Sequence, residues 1–245
     1  SPASVCNGNS STLTVSGADS YVWSPAATLS SSTGNTVTAI PTITTTYTVV
    51  GTLNGCDEDS SLTVTVIPGA VAADAGPDQV LCNLTTATLA GNAPSVNATG
   101  AWRQVSSPAA IITNAAQNNS TVTGLIPGRT YIFEWKITGQ APCPPTTSTV
   151  SIDVLSPIVN TIKNDTIICN GQTALIYTNT LSGGNSDSTA AIYSYEWEST
   201  PQGQNNWVVI VGEINETLSQ TPSANTCYRR KVKTNSLCET ISNVV

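Results

Sequence analysis

Histidine is absent from the 245 residues, and Lys and Arg together number only 8. Without histidine there is no side chain that ordinarily titrates near neutrality, and no Ser-His or Cys-His dyad. The scarcity of cations leaves a formal net charge of −7. This argues against nucleic acid, whose phosphates need clustered Lys and Arg to release counterions. No apolar run is long enough to cross a membrane as a helix, and no signal-peptide pattern is present. No glycine-rich, phosphate-cradling loop leads into a helix. What is abundant is Ser, Thr, Asn, Val and Ala, a composition suited to strands and turns. Seven cysteines without histidine point away from zinc and toward disulfides in an oxidising compartment. Reduced core cysteines of a cytosolic protein are the alternative, which suits their repeating positions less well. Ser1 opens mid-phrase and Val245 falls within a strand pattern, so a piece of a longer protein is expected.

Internal repetition organises the chain. Tyr131, Phe133, Trp135 and Ile137 share one face of an extended segment, with Glu134 and Lys136 on the other, which is the period of a half-buried strand. Turn residues with Cys143 follow, then a second alternating run, so the unit reads as a hairpin with a cysteine at its bend. The phrase occurs twice more, as Tyr47 leading to Cys56 and Tyr228 leading to Cys238. Each copy also has an early cysteine (Cys6, Cys82, Cys169) and a strand tryptophan (Trp23, Trp102, Trp197). The spacing predicts three modules, 1–68, 72–156 and 158–245, joined by short Pro-containing junctions with limited bending. Residues 181–190, rich in Gly, Ser, Asn and Asp, read as a surface loop.

An early Cys, a central strand Trp, a Tyr opening the penultimate strand and a late Cys together resemble the immunoglobulin-like sandwich with its tyrosine corner. One departure is visible: the first cysteine precedes the second strand and the other sits at the last hairpin bend. Cys169-Asn170-Gly171, Ser20-Tyr21-Val22-Trp23, Thr45-Thr46-Tyr47-Thr48-Val49 and Asn54-Gly55-Cys56 are similar to the Ig-like and PKD-like repeats of Bacteroidota surface proteins. Ala75-Gly76-Pro77-Asp78-Gln79 and Cys227-Tyr228-Arg229-Arg230-Lys231-Val232 carry the same resemblance. Among such proteins, the resemblance extends to the gliding-motility adhesins of flavobacteria. The resemblance implies export through the type IX secretion system and display on the cell surface, outside the cell.

Candidate chemistry is sparse. Glu196 and Glu198 lie two apart on one strand face, roughly 7 Å from each other, a separation compatible with a glycosidase pair. Tyr195 and Trp197 take the inward face, however, so the glutamates are expected to project into water, without the cleft that tunes catalytic acids. Asp57, Glu58 and Asp59 crowd onto one hairpin bend and could hold calcium; a solvated polar turn explains them as well. Arg229, Lys231 and Lys233 form a cationic stripe that could meet an anionic glycan or another module. Pairing with Glu196 and Glu198 across neighbouring strands is the favoured reading. Arg230 points with the core residues, which the sequence does not explain. Thr166 and Ser188 stand in Asp-Ser/Thr patterns resembling the O-glycosylation acceptors of exported Bacteroidota proteins.

The expected architecture is all-β: three tandem immunoglobulin-like Greek-key sandwiches in an elongated rod. The expected role is a stalk or adhesin fibre of a secreted surface protein, with no enzyme activity and no cofactor, save calcium at the acidic triplet. Its expected partners are neighbouring repeats, surface glycans or other surface proteins, and the type IX export machinery. A carbohydrate-binding array attached to a secreted hydrolase is the alternative. Position within each repeat predicts the disulfides Cys6–Cys56, Cys82–Cys143 and Cys169–Cys238, leaving Cys227 over. Such pairs require the first cysteine of a module to lie beside its last hairpin, with Cα atoms within about 7 Å.

Overall fold

The computed structural model describes residues 4–164, 169, 171–187, 190–235 and 237–245. Short alternating segments, punctuated by Gly, Pro and Asn, form strands throughout. The first sandwich contains β1 (Ser4–Cys6), β2 (Ser11–Thr14), β3 (Ser20–Ser24), β4 (Thr36–Ala39), β5 (Thr45–Leu53) and β6 (Cys56–Ile67). Its sheets have the orders β1-β6-β5-β3 and β2-β4. The second contains β7 (Gln79–Cys82), β8 (Thr86–Thr88), β9 (Thr99–Gln104), β10 (Ile111–Ile112), β11 (Thr121–Thr123), β12 (Arg129–Thr138) and β13 (Thr146–Leu155). Here the orders are β7-β13-β12-β9 and β10-β11-β8. The third contains β14 (Val159–Asn164), β15 (Ala174–Ser182), β16 (Tyr193–Pro201), β17 (Val208–Val209), β18 (Leu218–Gln220), β19 (Thr226–Thr234) and β20 (Cys238–Ile241). It pairs β14-β15-β18 against β17-β16-β19-β20. Each is an immunoglobulin-like sandwich, and the chain is all-β.

Alternation explains why these residues make these sheets. Along β12, the residues 131, 133, 135 and 137 face inward with no exposure, while 132, 134, 136 and 138 face outward. Trp102 and Trp135 meet at the centre of the second core, ring centroids 4.9 Å apart. Gly100 makes room for them, since a Cβ there would lie 2.2 Å from the Trp135 ring. Each module anchors its strand tryptophan in the same way: the indole N–H of Trp23 donates to the Gly34 carbonyl, that of Trp102 to Asn118, and that of Trp197 to Asn215. In the second module the Tyr131 hydroxyl accepts the Ile126 N–H at 2.9 Å, a tyrosine corner. Tyr47 instead bonds Thr28 through its hydroxyl.

The third core is the smallest in buried apolar residues: Ile162, Ile176, Trp197, Leu218 and Tyr228. Arg230 occupies the remaining space and is fully buried. Its Nε and Nη2 donate to Asn160 Oδ1 at 3.1 and 2.7 Å, and Nη1 donates to the Glu216 carbonyl at 2.7 Å. The guanidinium also lies 5.7 Å from the Trp197 ring centroid. Burial pushes its pKa down, opposed by nearby Tyr195 and Glu216. The inward side chain is thus a core cation whose desolvation is offset by neutral acceptors and ring faces.

Candidate functional site

The cysteines join neighbouring modules. Cys6 is bonded to Cys143, with Cα atoms 5.0 Å apart, and Cys82 to Cys238, at 5.4 Å. The expected pairs Cys6–Cys56, Cys82–Cys143 and Cys169–Cys238 do not form. The strand order gives the reason. β1 runs parallel to β6, and its last residue, Cys6, faces Ile67, the last residue of β6. Cys56 is the first residue of that 12-residue strand. The strand rise of about 3.3 Å per residue therefore separates them by roughly 36 Å, far outside disulfide reach. The second module repeats this layout, with Cys82 opposite Leu155 at the end of β13 and Cys143 before its start. A module's first cysteine thus marks the end from which the chain leaves. Its hairpin cysteine marks the opposite end, which faces the module before it. Cys56 and Cys169 are exposed thiols, and Cys227 is a half-buried thiol on β19.

Both junctions are built contacts. Residues 70–76 lie along the second sandwich, and Ala70 and Ala73 pack against its core. Thr146 Oγ1 donates to the Val71 carbonyl and accepts the Ala73 N–H, both at 3.0 Å. The Asn92 side chain donates to the Ala72 carbonyl and accepts the Asp74 N–H, both at 2.9 Å. Cys143 Sγ sits 3.5 Å from the Ile67 carbonyl oxygen, so hairpin and junction meet at the staple. At the second junction the third module reaches back. The segment read as a surface loop begins as the end of β15, and residues 183–187 fill the inter-module seam. Ser156 and Asn185 bond backbone to backbone at 2.8 Å, Ser186 donates to Asp153 at 3.1 Å, and Arg129 pairs with Asp187 at 3.1 Å. Gly183 and Gly184 permit this approach, because a Cβ on Gly183 would lie 1.9 Å from the Pro157 carbonyl oxygen.

The cationic stripe meets carboxylates of its own module. Arg229 Nε lies 2.6 Å from Glu198 Oε2, and Lys231 Nζ lies 2.9 Å from Glu196 and 3.5 Å from Glu198. Lys233 instead pairs with Glu239 on β20 at 3.2 Å. The hydrogen bond to Glu196 raises the Lys231 pKa; burial opposes it, and Glu198, Glu196 and Glu239 add to it. Glu198 does not project into water as its strand position suggested. It is buried, held by Arg229, whose guanidinium lies over the Trp207 ring at 4.2 Å.

Asp57, Glu58 and Asp59 lie within β6, not on the bend, which is Asn54-Gly55 with φ of 52° and 80°. Extended backbone sends successive side chains to opposite faces, and Asp57 accepts from Thr52 Oγ1 at 2.6 Å. Among the described residues no three His, Cys, Asp or Glu side chains converge to hold a metal ion. Thr166 and Ser188 lie outside the described residues. What sequence reasoning missed is the pair of junctions. Its own requirement, that first turn and last hairpin be neighbours, was the available signal, since a sandwich puts them at opposite ends.

Residues 158–245 match the family described as "Domain of unknown function (DUF8696)", a segment coinciding with the third sandwich. No curated protein sequence matches the chain. Among solved structures, the three N-terminal domains of the bacteriophage RB49 Highly Immunogenic Outer Capsid protein superpose with TM-score 0.51 at 15% identity, covering 99% of this chain and 94% of that one. Extracellular domains 3–5 of Drosophila OTK give TM-score 0.47 at 12% identity, covering 99% and 92%. Titin domains A168–A170 give 0.49 at 11%, covering 98% and 93%. At such identity the likeness to the phage protein is one of fold: three immunoglobulin-like domains in tandem.

Proposed function

We propose that the chain is a stiff structural or adhesive segment of a secreted, surface-displayed protein, holding a binding region away from the cell. The observation that carries this is the pair of disulfides crossing the module boundaries. A disulfide within a sandwich would stabilise that sandwich alone; one across a junction fixes the direction in which the next module leaves. Disulfides persist in oxidising compartments, in line with a place outside the cytoplasm. Four of the five tryptophans are core residues, and Trp207 is covered by Arg229, which leaves the carbohydrate-binding alternative without a row of exposed tryptophans among the described residues. The finer reading, export by the type IX system and service in gliding motility, rests on the repeat phrases Asn54-Gly55-Cys56 and Tyr228-Arg229-Arg230.

Surface labelling tests it. Antibody against residues 1–245 should bind intact, unpermeabilised cells of the source organism and lose that signal when the type IX machinery is inactivated. Deleting the segment should reduce attachment or gliding. Labelling seen only after permeabilisation would refute surface display. Surface labelling unaffected by the export mutation would refute the type IX route.

A further inference from the structure

The two disulfides interleave along the chain. Cys6 pairs with Cys143 and Cys82 with Cys238, so the second bridge begins inside the loop closed by the first and ends outside it. Three stretches of chain therefore run side by side between the same two bridges: 6–82, 82–143 and 143–238. The shortest, 82–143, has about 60 residues, against about 75 and about 95 in the others, and a taut chain covers about 3.5 Å per residue. The bridges can part no further than this shortest stretch allows, whatever happens to the other two.

Strand directions bring tension straight to these bridges. β1 ends at Cys6, so a pull on residue 1 reaches the first bridge along β1 without passing through β2 to β5. β20 opens at Cys238, and the chain after it stays beside β19 as far as Val245, which exchanges backbone hydrogen bonds with Tyr228 at 2.8 and 3.0 Å. A pull on residue 245 reaches the second bridge along that strand. Between the bridges stands the second sandwich. Cys143 precedes the ten-residue β13 and Cys82 lies opposite Leu155 at its end, so the bridges are roughly 30 Å apart. β7 and β13 run parallel along the line of pull, so their ladder is loaded in shear, all bonds together.

We propose that the interleaved disulfides make this segment a length-limited, load-sharing tether. Modules that follow one another along the backbone are coupled in parallel by the bridges, so tension cannot open them one at a time. The second sandwich takes the load first. If it starts to open, the bridges part by a few tens of Å before the stretches from Ile67 to Cys82 and from Cys143 to Val159, about 50 Å each when taut, draw on the first and third sandwiches as well. The limit is reached when 82–143 is straight. The whole path, from residue 1 to Cys6, across to Cys143, back to Cys82, across to Cys238 and on to residue 245, then measures about 260 Å. Without bridges the chain reaches about 850 Å. This property goes beyond the stalk role and is independent of surface display, because covalent connectivity sets it.

Single-molecule stretching of the 245-residue chain, held by handles at its two ends, tests this. Cys56→Ser, Cys169→Ser and Cys227→Ser remove the free thiols, and non-reducing peptide mapping follows the two bridges. The oxidised chain should stop at about 260 Å beyond the handles, releasing about 180 Å in all from the folded length. Excess dithiothreitol should raise the limit roughly threefold, with three separate steps of about 200 Å or more. Removing the first bridge by Cys6→Ser with Cys143→Ser should give a limit of about 310 Å, and removing the second by Cys82→Ser with Cys238→Ser about 380 Å. These limits hold whether or not a variant sandwich is folded at the start of the pull. An oxidised chain that passes 260 Å in steps of single-module size would overturn the proposal. So would a single-bridge variant that stays near 260 Å or runs on beyond about 400 Å.

Discussion

Cys82 and Cys238 are 156 residues apart in sequence, yet their Cα atoms stand 5.4 Å from each other across the seam between the second and third sandwiches. Cys6 and Cys143 bear the same relation one module earlier. A staple at this place ties the end of one module's last strand to the hairpin of the next, beside the chain's own crossing. Two attachments at one seam restrict bending where a single peptide link would act as a hinge.

Cys143→Ser should therefore lower the stability of the second module. With the first module folded, the staple closes a loop of about 70 residues in the unfolded second one, worth about 4–5 kcal/mol in the chain-entropy model. Calorimetry should show the transition of the second module shifting down while that of the third, stapled separately by Cys82–Cys238, stays in place.

Small-angle scattering should report an elongated particle. Modules on the order of 35–40 Å long, set end to end, reach roughly 110 Å, and a rod of that length has a radius of gyration near 32 Å, against about 18 Å for one compact domain of this size. Reduction of both disulfides should broaden the distance distribution by freeing the seams. A value near 20 Å, independent of concentration, would contradict the tandem arrangement.

Gly100→Ala should destabilise the second module by about 1–3 kcal/mol through overpacking, because the added Cβ meets the Trp135 ring at 2.2 Å. Denaturant unfolding followed by tryptophan fluorescence measures this directly.

In the third module, Asn160→Leu should cost about 2–3 kcal/mol, since it removes the acceptor of two hydrogen bonds from a buried guanidinium. Arg230→Met removes cation and need together and should cost less. A larger loss from Arg230→Met in denaturant unfolding would show that the cation itself holds the core.

Glu134 accepts two hydrogen bonds from Arg103, which lower its pKa; burial opposes them, and Arg103 and Lys136 add to them as charges. A carboxylate with a depressed folded pKa contributes stability that is present above its unfolded value of about 4.3. That contribution is lost as pH falls through the lowered folded value. Glu134→Gln should accordingly flatten this part of the acid limb in a stability–pH series while leaving the neutral-pH fold intact.

The sequence by itself determined the strands, the three-fold repetition and the cores, because side-chain alternation and turn chemistry act over a few residues. Tyr131, Phe133, Trp135 and Ile137 could face the core only by sharing one side of a strand. Asn54-Gly55 could close its hairpin only with positive φ. The cationic stripe was legible for the same reason, since Glu196 and Lys231 pair directly across two strands. Three things were left to the tertiary structure: the partners of the cysteines, the burial of Glu198, and the place of residues 183–187. Each depends on which surfaces meet after the strands have formed. Cys6 and Cys56 bracket one module in sequence but stand at opposite ends of β6, and only end-to-end stacking brings a first turn to the next hairpin. Trp207 comes from a separate loop to cover Arg229, while Gly183 lets the 183–187 loop close on Pro157 and Gly184 lets it pass Thr234. Local periodicity carries no information about such long-range meetings, which arise from the order of strands in the sheets and the direction in which the modules follow one another.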